Sequence, residues 1–269
     1  MKEKNKFRKI LLPIIAVVLI ASIVFSIIIV LLKDKNKHTP NYVIHATGGF
    51  GQEIYLNSQE SLNYYIEQGF TLFEVDFLYT KDNVIVCSHE FENMGEFSKS
   101  NRPTYDEFMS TLIHGKYHPL NLGTLIETVK LNPQVTIIFD TKESDKLAIF
   151  KDLYAKLRSF GFDTKKNLIA QFYTNSGYQT IKNYEVKEFW FTNYAPNNTN
   201  RYTQQQIVEY FGTEKNVTTI VLSNFCYPQF KEEGIIFDKK IAVHGIEQIY
   251  SKSNTTYFTE VDYIFIHSL

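Results

Sequence analysis

The chain has 269 residues, enough for one large domain of about 230 residues and a tail, with 18 Tyr and 22 Phe among an ordinary hydrophobic share of 44%. Its net charge of −1 hides a split: residues 1–38 hold eight Lys or Arg and two acids, leaving 20 basic and 27 acidic residues, net −7, in the remainder. Phosphate backbones are gripped by clustered Lys and Arg, which this acidic remainder lacks, so nucleic acid is excluded as a partner.

Residues 10–32 are almost wholly apolar, interrupted only by Pro13 and two Ser. The run is 23 residues long, and roughly 20 helical residues cross a bilayer core. A cleaved secretory signal has a shorter apolar core, about 7–15 residues, ending on small side chains. The sequence therefore predicts a transmembrane signal anchor over 10–32, between a basic tail at 1–9 and a polar linker at 33–41. Lys2, Lys4, Lys6, Arg8 and Lys9 precede the span and Lys33, Lys35 and Lys37 follow it. The heavier N-terminal charge places the tail in the cytoplasm and the domain at 42–269 outside the cell membrane.

After the linker, strand-like runs alternate with amphipathic helical stretches. A strand at 42–46 is followed by a helix at 58–68 closed by Gly69, and by a second strand at 71–78. Asp82-Asn83 turns the chain into a hairpin return at 84–87. Residues 91–121 read as irregular, with one short helix opened by a capping box at Thr104 and Glu107. A helix near 124–131 leads to a strand at 135–140, then a helix at 144–160 ends at Gly161. Further strands are expected at 168–172, 189–192, 218–222, 241–244 and 263–266. The eight main strands, alternating with helices over about 230 residues, predict an α/β fold of the (β/α)8 TIM-barrel type. The alternation alone leaves an open doubly wound sheet as the alternative.

The chemistry concentrates at strand ends. Glu74 and Asp76 lie two residues apart in the apolar second strand, so both side chains face the same way. Two buried acids side by side repel and lose hydration, and a cation between them removes that penalty. His45 ends the first strand, His89 ends the hairpin return, Asp140 ends the third main strand, and Lys142 follows two residues later. In a barrel these positions converge on one rim, where active sites sit. The pattern reads as a metal site with acid/base groups beside it.

These residues resemble a known family. His45 near Gly48-Gly49, Asn57-Ser58, Gly69, Glu74-Val75-Asp76, Thr80, Asp82, Val86, His89 and Asp140-Thr141-Lys142 are similar to the glycerophosphodiester phosphodiesterase pattern. That family shares its barrel and its two-histidine logic with phosphatidylinositol-specific phospholipase C. The resemblance is strong over residues 42–90, extends to 142, and continues afterwards only as strand rhythm. It implies that Glu74, Asp76 and Asp140 are metal ligands, and carboxylates suit a hard divalent cation, Ca2+ or Mg2+, over zinc. It also implies that His45 and His89 are the catalytic acid/base pair. Lys142 would bring charge to the phosphate, and Asn57 would cap the following helix or donate to phosphate or neighbouring side chains.

The departures from the pattern are specific. Ala46 stands where the family has an Arg that contacts phosphate, Glu90 where it has Asp, Asp140 where it has Glu, and Tyr55-Leu56 where it has Pro-Glu. In these departures the chain resembles a divergent branch, similar to both enzyme types, in which a His-Ala-x-Gly-Gly opening is normal. The expected activity is metal-dependent hydrolysis of glycerophosphodiesters, phospholipid head groups or glycerol-phosphate-bearing envelope polymers, by a neighbouring hydroxyl or by water. The alternatives are a metal-independent phospholipase C-like lyase and a barrel that binds phosphorylated envelope ligands without turnover.

Other residues carry less. Gly48-Gly49-Phe50-Gly51 reads as a flexible loop beside His45 and does not match a dinucleotide fingerprint. His244 and Glu247, near the seventh strand, could line the same mouth but are expected rather to serve structure or the surface, and His114 and His118 to be exposed. Trp190, Tyr194, Gln171 and Tyr173 are candidates for the mouth or for the core. Cys87, in an apolar strand beside His89, reads as a small buried side chain, and the distance in sequence between Cys87 and Cys226 says nothing about pairing. The sequons at Asn197, Asn216 and Asn254 matter only in a host that glycosylates secreted proteins.

Overall fold

The structure, a computed structural model, describes residues 41–194, 201–234, 238–245 and 261–268. The expected anchor at 10–32, its flanks at 1–9 and 33–40, Glu247, and the sequons at Asn197 and Asn254 lie outside them. Among the described residues no helix is long and apolar enough to cross a membrane.

Ten strands run in chain order: β1 (Asn41–Ile44), β2 (Leu72–Tyr79), β3 (Ile85–Cys87), β4 (Leu120–Asn121), β5 (Thr136–Thr141), β6 (Leu168–Phe172), β7 (Glu188–Thr192), β8 (Val217–Ser223), β9 (Lys240–His244) and β10 (Tyr263–Ile266). Eight of them are parallel neighbours from β2 and β5 round to β10, and β1 pairs with both β2 and β10. The ring is closed, so the architecture is the (β/α)8 barrel and the open sheet is excluded.

The strands read as unbroken apolar runs because both faces are buried. Val43, Ile138, Ile169, Trp190, Val221, Ala242 and Phe265 fill the barrel interior with Leu72. Trp190 is thus a core residue. Phe73, Val75 and Phe77, on the other face of β2, join the larger core between strands and helices. By alternation Glu74 and Asp76 continue the inward row begun by Leu72, and they are 1% and 0% exposed.

Helix ends follow local chemistry. The helix Gln59–Glu67 is capped by Ser58, whose side chain accepts from Ser61 N, and the helix Lys146–Ser159 by Asp145. The helix Tyr105–Ser110 carries the expected capping box, with Thr104 and Glu107 bonded reciprocally.

β2 is shared between two partners on one edge. Its start pairs with β1 at Ile44↔Phe73, and its end pairs antiparallel with β3 over Phe77–Tyr79. The hairpin therefore stands above the end of β1 and delivers Ser88 and His89 to the barrel mouth, with Ser88 N donating to Asp76 O at 2.9 Å. One expectation is corrected here: the segment 91–121 is not irregular throughout, because Leu120–Asn121 forms β4 against β3. Leu56, Leu78, Val86, Phe91, Met94, Phe108 and Ile113 give this insert its own apolar cluster. Arg102 pins it to the rim, reaching Glu143 through Nη1 at 2.5 Å and Nη2 at 3.0 Å. Cys87 and Cys226 are both buried.

Candidate active site

Asp76 and Asp140 are register partners across the β2–β5 ladder, so their backbones set two carboxylates side by side. Glu74 lies two residues below Asp76 on the same inward row. One oxygen from each of the three lies within 4.8 Å of the others. Like charges this close and this buried are destabilising unless compensated. Lys142 compensates in part: its Nζ is 2.6 Å from Asp140 Oδ2 and 3.0 Å from Asp76 Oδ1.

Two further contacts hold the acids in place. Ala46 N donates to Glu74 Oε2 at 2.7 Å. Asn57 Nδ2 donates to Asp76 Oδ2 at 3.0 Å, while Asp76 N donates to Asn57 Oδ1 at 3.2 Å. Asn57 is fully buried and left-handed, with φ of 43°. Its amide faces Asp76, not the open cavity, and the helix cap is Ser58. Of the roles expected of Asn57, the geometry has the one toward a neighbouring side chain.

The charges respond to this packing. Burial, then the charges of Asp76 and Asp140, push the Glu74 carboxyl well above the usual range. Burial also opposes ionisation of Asp76, but Lys142, His89 and the Asn57 amide outweigh it and hold Asp76 low. Lys142 is desolvated, yet Asp76, Asp140 and Glu74 keep it firmly protonated.

The mouth is a cavity of about 180 Å³ lined by His45, Tyr55, Glu74, His89, Asp140, Lys142 and, from the far strands, Gln171, Tyr194 and His244. His45 Nε2 lies 3.6 Å from Glu74 Oε2. Burial, then His267, drives the His45 pKa well below its ordinary value, so the ring is neutral near pH 7. His89 approaches from the hairpin, its ring 4.6 Å from that of Tyr55. All six mouth residues expected from the sequence, His45, Glu74, Asp76, His89, Asp140 and Lys142, thus gather at one end of the barrel.

The structure adds residues that sequence reasoning did not weigh. His267 stacks on His45 with ring centroids 4.5 Å apart, and Tyr55 sets its ring edge-on to both. His267 follows β10 directly, as His45 follows β1, so the strand-end rule that selected His45 selects it too. Tyr55 carries no such signal; its left-handed backbone, φ of 59°, turns the ring inward. Of the two places open to His244, the structure has the mouth and not the preferred structural or surface role: its ring lines the cavity. The Tyr173 hydroxyl donates to Asp140. His114 and His118 are exposed.

The donor set fits a hard cation. All three groups are carboxylates, and Glu74 Oε1 is a buried oxygen with no hydrogen-bond partner among the described residues. Asp76 Oδ1 meets Lys142 only as an ion pair, without hydrogen-bond geometry. Oxygen-only donors suit Ca2+ or Mg2+.

Fold and rim together define a (β/α)8 barrel with a carboxylate triad and four histidines at its mouth. Its fold is that of the glycerophosphodiester phosphodiesterases. The chain is similar to a glycerophosphoryl diester phosphodiesterase of Parabacteroides distasonis, with a TM-score of 0.65 and 16% identity over 87% of this chain and 84% of that one. It is similar to a glycerophosphodiester phosphodiesterase of Thermotoga maritima, with a TM-score of 0.61 and 18% identity over 86% and 95%. A phosphodiesterase of Oleispira antarctica, solved with the product sn-glycerol-3-phosphate, gives a TM-score of 0.60 and 14% identity over 85% and 93%. No family model and no curated protein matches the sequence.

Proposed function

We propose that this protein is a metal-dependent phosphodiesterase acting on glycerophosphodiesters or related glycerol-phosphate and phospholipid head groups. The observation that carries this reading is a single cavity in which His45 and His89 flank Glu74, Asp140 and Lys142. Glu74, Asp76 and Asp140 would hold Ca2+ or Mg2+, which supplies positive charge against the phosphate oxygens.

His45 is neutral and can accept the proton of the attacking hydroxyl, whether of water or of the substrate's own glycerol. Glu74 Oε2, fixed by Ala46 N, stands beside the imidazolium so formed. His89 sits on the hairpin across the cavity and gives its proton to the departing alkoxide. Tyr55 packs on both rings and keeps them apart. Lys142, held by two acids, directs one cation at the phosphate in place of the guanidinium that Ala46 does not provide. Residues 10–32 would anchor the barrel outside the cell membrane, beside lipid or envelope substrates.

One contact favours a second reading. Lys142 Nζ already lies between Asp76 and Asp140, which is what a metal-independent phospholipase C-like lyase would need. Hydrolysis of glycerophosphodiesters by the full chain, with and without EDTA, separates the two. Loss of turnover on chelation, restored by Ca2+ or Mg2+, is the expected result; full activity after exhaustive chelation selects the lyase. His45→Ala and His89→Ala should each lower kcat by about 10²–10⁴-fold. Binding that persists while neither variant changes turnover would leave only a ligand-binding barrel. The same diesters supplied to intact cells should be hydrolysed without lysis; a need for lysis rejects the outward orientation.

A further inference from the structure

A second groove, of about 710 Å³, opens beside the catalytic cavity and shares Gln171 and Tyr194 with it. Its floor is apolar, made by Leu147, Phe150, Phe172 and Ile181. Two cations face it, Lys146 and Arg201. Tyr173 ties both to the triad. Its hydroxyl donates to Asp140, Lys146 Nζ lies 4.2 Å from its ring centroid, and Arg201 Nη1 donates to its carbonyl at 3.4 Å. The cations therefore stand within the length of one tyrosine from the carboxylates.

Neither cation forms an ion pair with a carboxylate among the described residues. Asp145, the one acid lining the groove among the described residues, caps the helix behind it, its Oδ1 accepting from Ala148 N at 3.0 Å, a contact that leaves its charge in place. The net charge of the domain at 42–269 is negative, so two cations against one acid, with Lys146 Nζ held by the Thr141 carbonyl and not by a carboxylate, are a local positive excess in this groove. Two like charges near each other cost free energy that an anion between them recovers.

Resting on the phosphodiesterase reading above, we infer that this groove binds a second phosphate carried by the alcohol of the diester being cleaved. The preferred substrate class is then a diester whose alcohol bears a further phosphate across a short carbon linker. The linker lies on the apolar floor, and the phosphate meets the Arg201 fork and the Lys146 ammonium.

The test compares glycerophosphoglycerol with the same diester phosphorylated on its leaving glycerol. Charge-assisted hydrogen bonds of this kind predict kcat/KM about tenfold or more higher for the phosphorylated diester. In Lys146→Gln and in Arg201→Gln that ratio should fall toward one. Equal kcat/KM in the unsubstituted protein, or a ratio that both variants leave intact, overturns the inference. Binding supplies a readout that does not need turnover. By calorimetry in EDTA, glycerol 1,3-bisphosphate should bind the full chain about tenfold more tightly than glycerol 3-phosphate, and Arg201→Gln should erase the difference. Equal binding, or none of either, overturns the inference. Failure to cleave both diesters rejects the phosphodiesterase reading, and the binding comparison then decides the groove by itself.

Discussion

Asn57 sets the direction in which Asp76 offers its oxygens. Its amide meets the Asp76 side chain through Nδ2 and the Asp76 backbone through Oδ1, so neither Asp76 nor Asn57 can rotate independently. Supports of this kind commonly matter to metal affinity nearly as much as the ligands. The sequence showed Asn57 beside a helix start but not which way its amide turns, because that depends on a left-handed backbone no pattern encodes. His267 makes the complementary case. Its position at a strand end was legible, its stacking on His45 was not. The ring is 1% exposed, and burial, then the charge of His89, lowers its pKa to about 4. A histidine near 6.5 when unfolded and about 4 when folded stabilises the fold fully above pH 6.5. That contribution fades as pH falls toward about 4 and is absent below. Its size is about 3 kcal/mol. Denaturant titrations from pH 7.5 to pH 4 should therefore show wild type losing about 3 kcal/mol more stability than His267→Asn, which has no such proton to take up. Parallel curves would mean that the ring is hydrated or paired.

At the scale of elements, the turn after β1 does more for the site than its composition suggests. His45–Thr47 form a 3-10 turn in which Ala46 and Thr47 adopt φ of 50° and 57°, and Gly48 follows at 97°. The left-handed step aims Ala46 N at Glu74. Position 46 reads in the sequence as a missing guanidinium, while in the structure its backbone amide has taken a task of its own. Gly48 is required twice over. A Cβ there would sit 2.2 Å from Tyr65 Cε2, besides the strain of the positive φ. Tyr65 cannot yield easily, because its hydroxyl donates to Gly49 O at 2.9 Å within the core. Gly48→Ala should cost about 3 kcal/mol in urea unfolding. At Gly51, also left-handed but open, alanine should cost only about 1 kcal/mol. Equal costs would show that the turn, not the Tyr65 packing, limits the site. The divided edge of β2 is likewise a device of elements. The strands were legible as apolar runs, whereas β4, only two residues long, has no period to read.

Across the whole molecule, closure is what turns scattered residues into a site. β1 meets β10 by pairing Asn41 with Tyr263, a contact between the two ends of the domain that no local pattern announces. The barrel was legible because eight buried strands each spell an apolar run. Gln171 and Tyr194 were legible as candidates for the mouth; that they and His244 line one cavity with His45, and that His267 stacks on that ring from the neighbouring strand, was not, because it follows from the ring being shut. Closure also forces Glu74 inward beside two other carboxylates, and the cost of that placement predicts how the fold responds to a cation. Burial, then the charges of Asp76 and Asp140, push the Glu74 carboxyl up, so the metal-free protein favours its neutral form, which glutamine mimics in shape and charge. Glu74→Gln should accordingly leave the metal-free melting temperature near that of wild type. A ligand at about 100 times its Kd stabilises the native state by about 2.7 kcal/mol, and a domain of this size gains about 2–4 °C per kcal/mol. Saturating Ca2+ or Mg2+ should therefore raise the wild-type melting temperature by about 5–10 °C and that of Glu74→Gln by far less. If both proteins shift equally, the cation binds elsewhere; if neither shifts, Lys142 alone balances the acids and the barrel works without a metal.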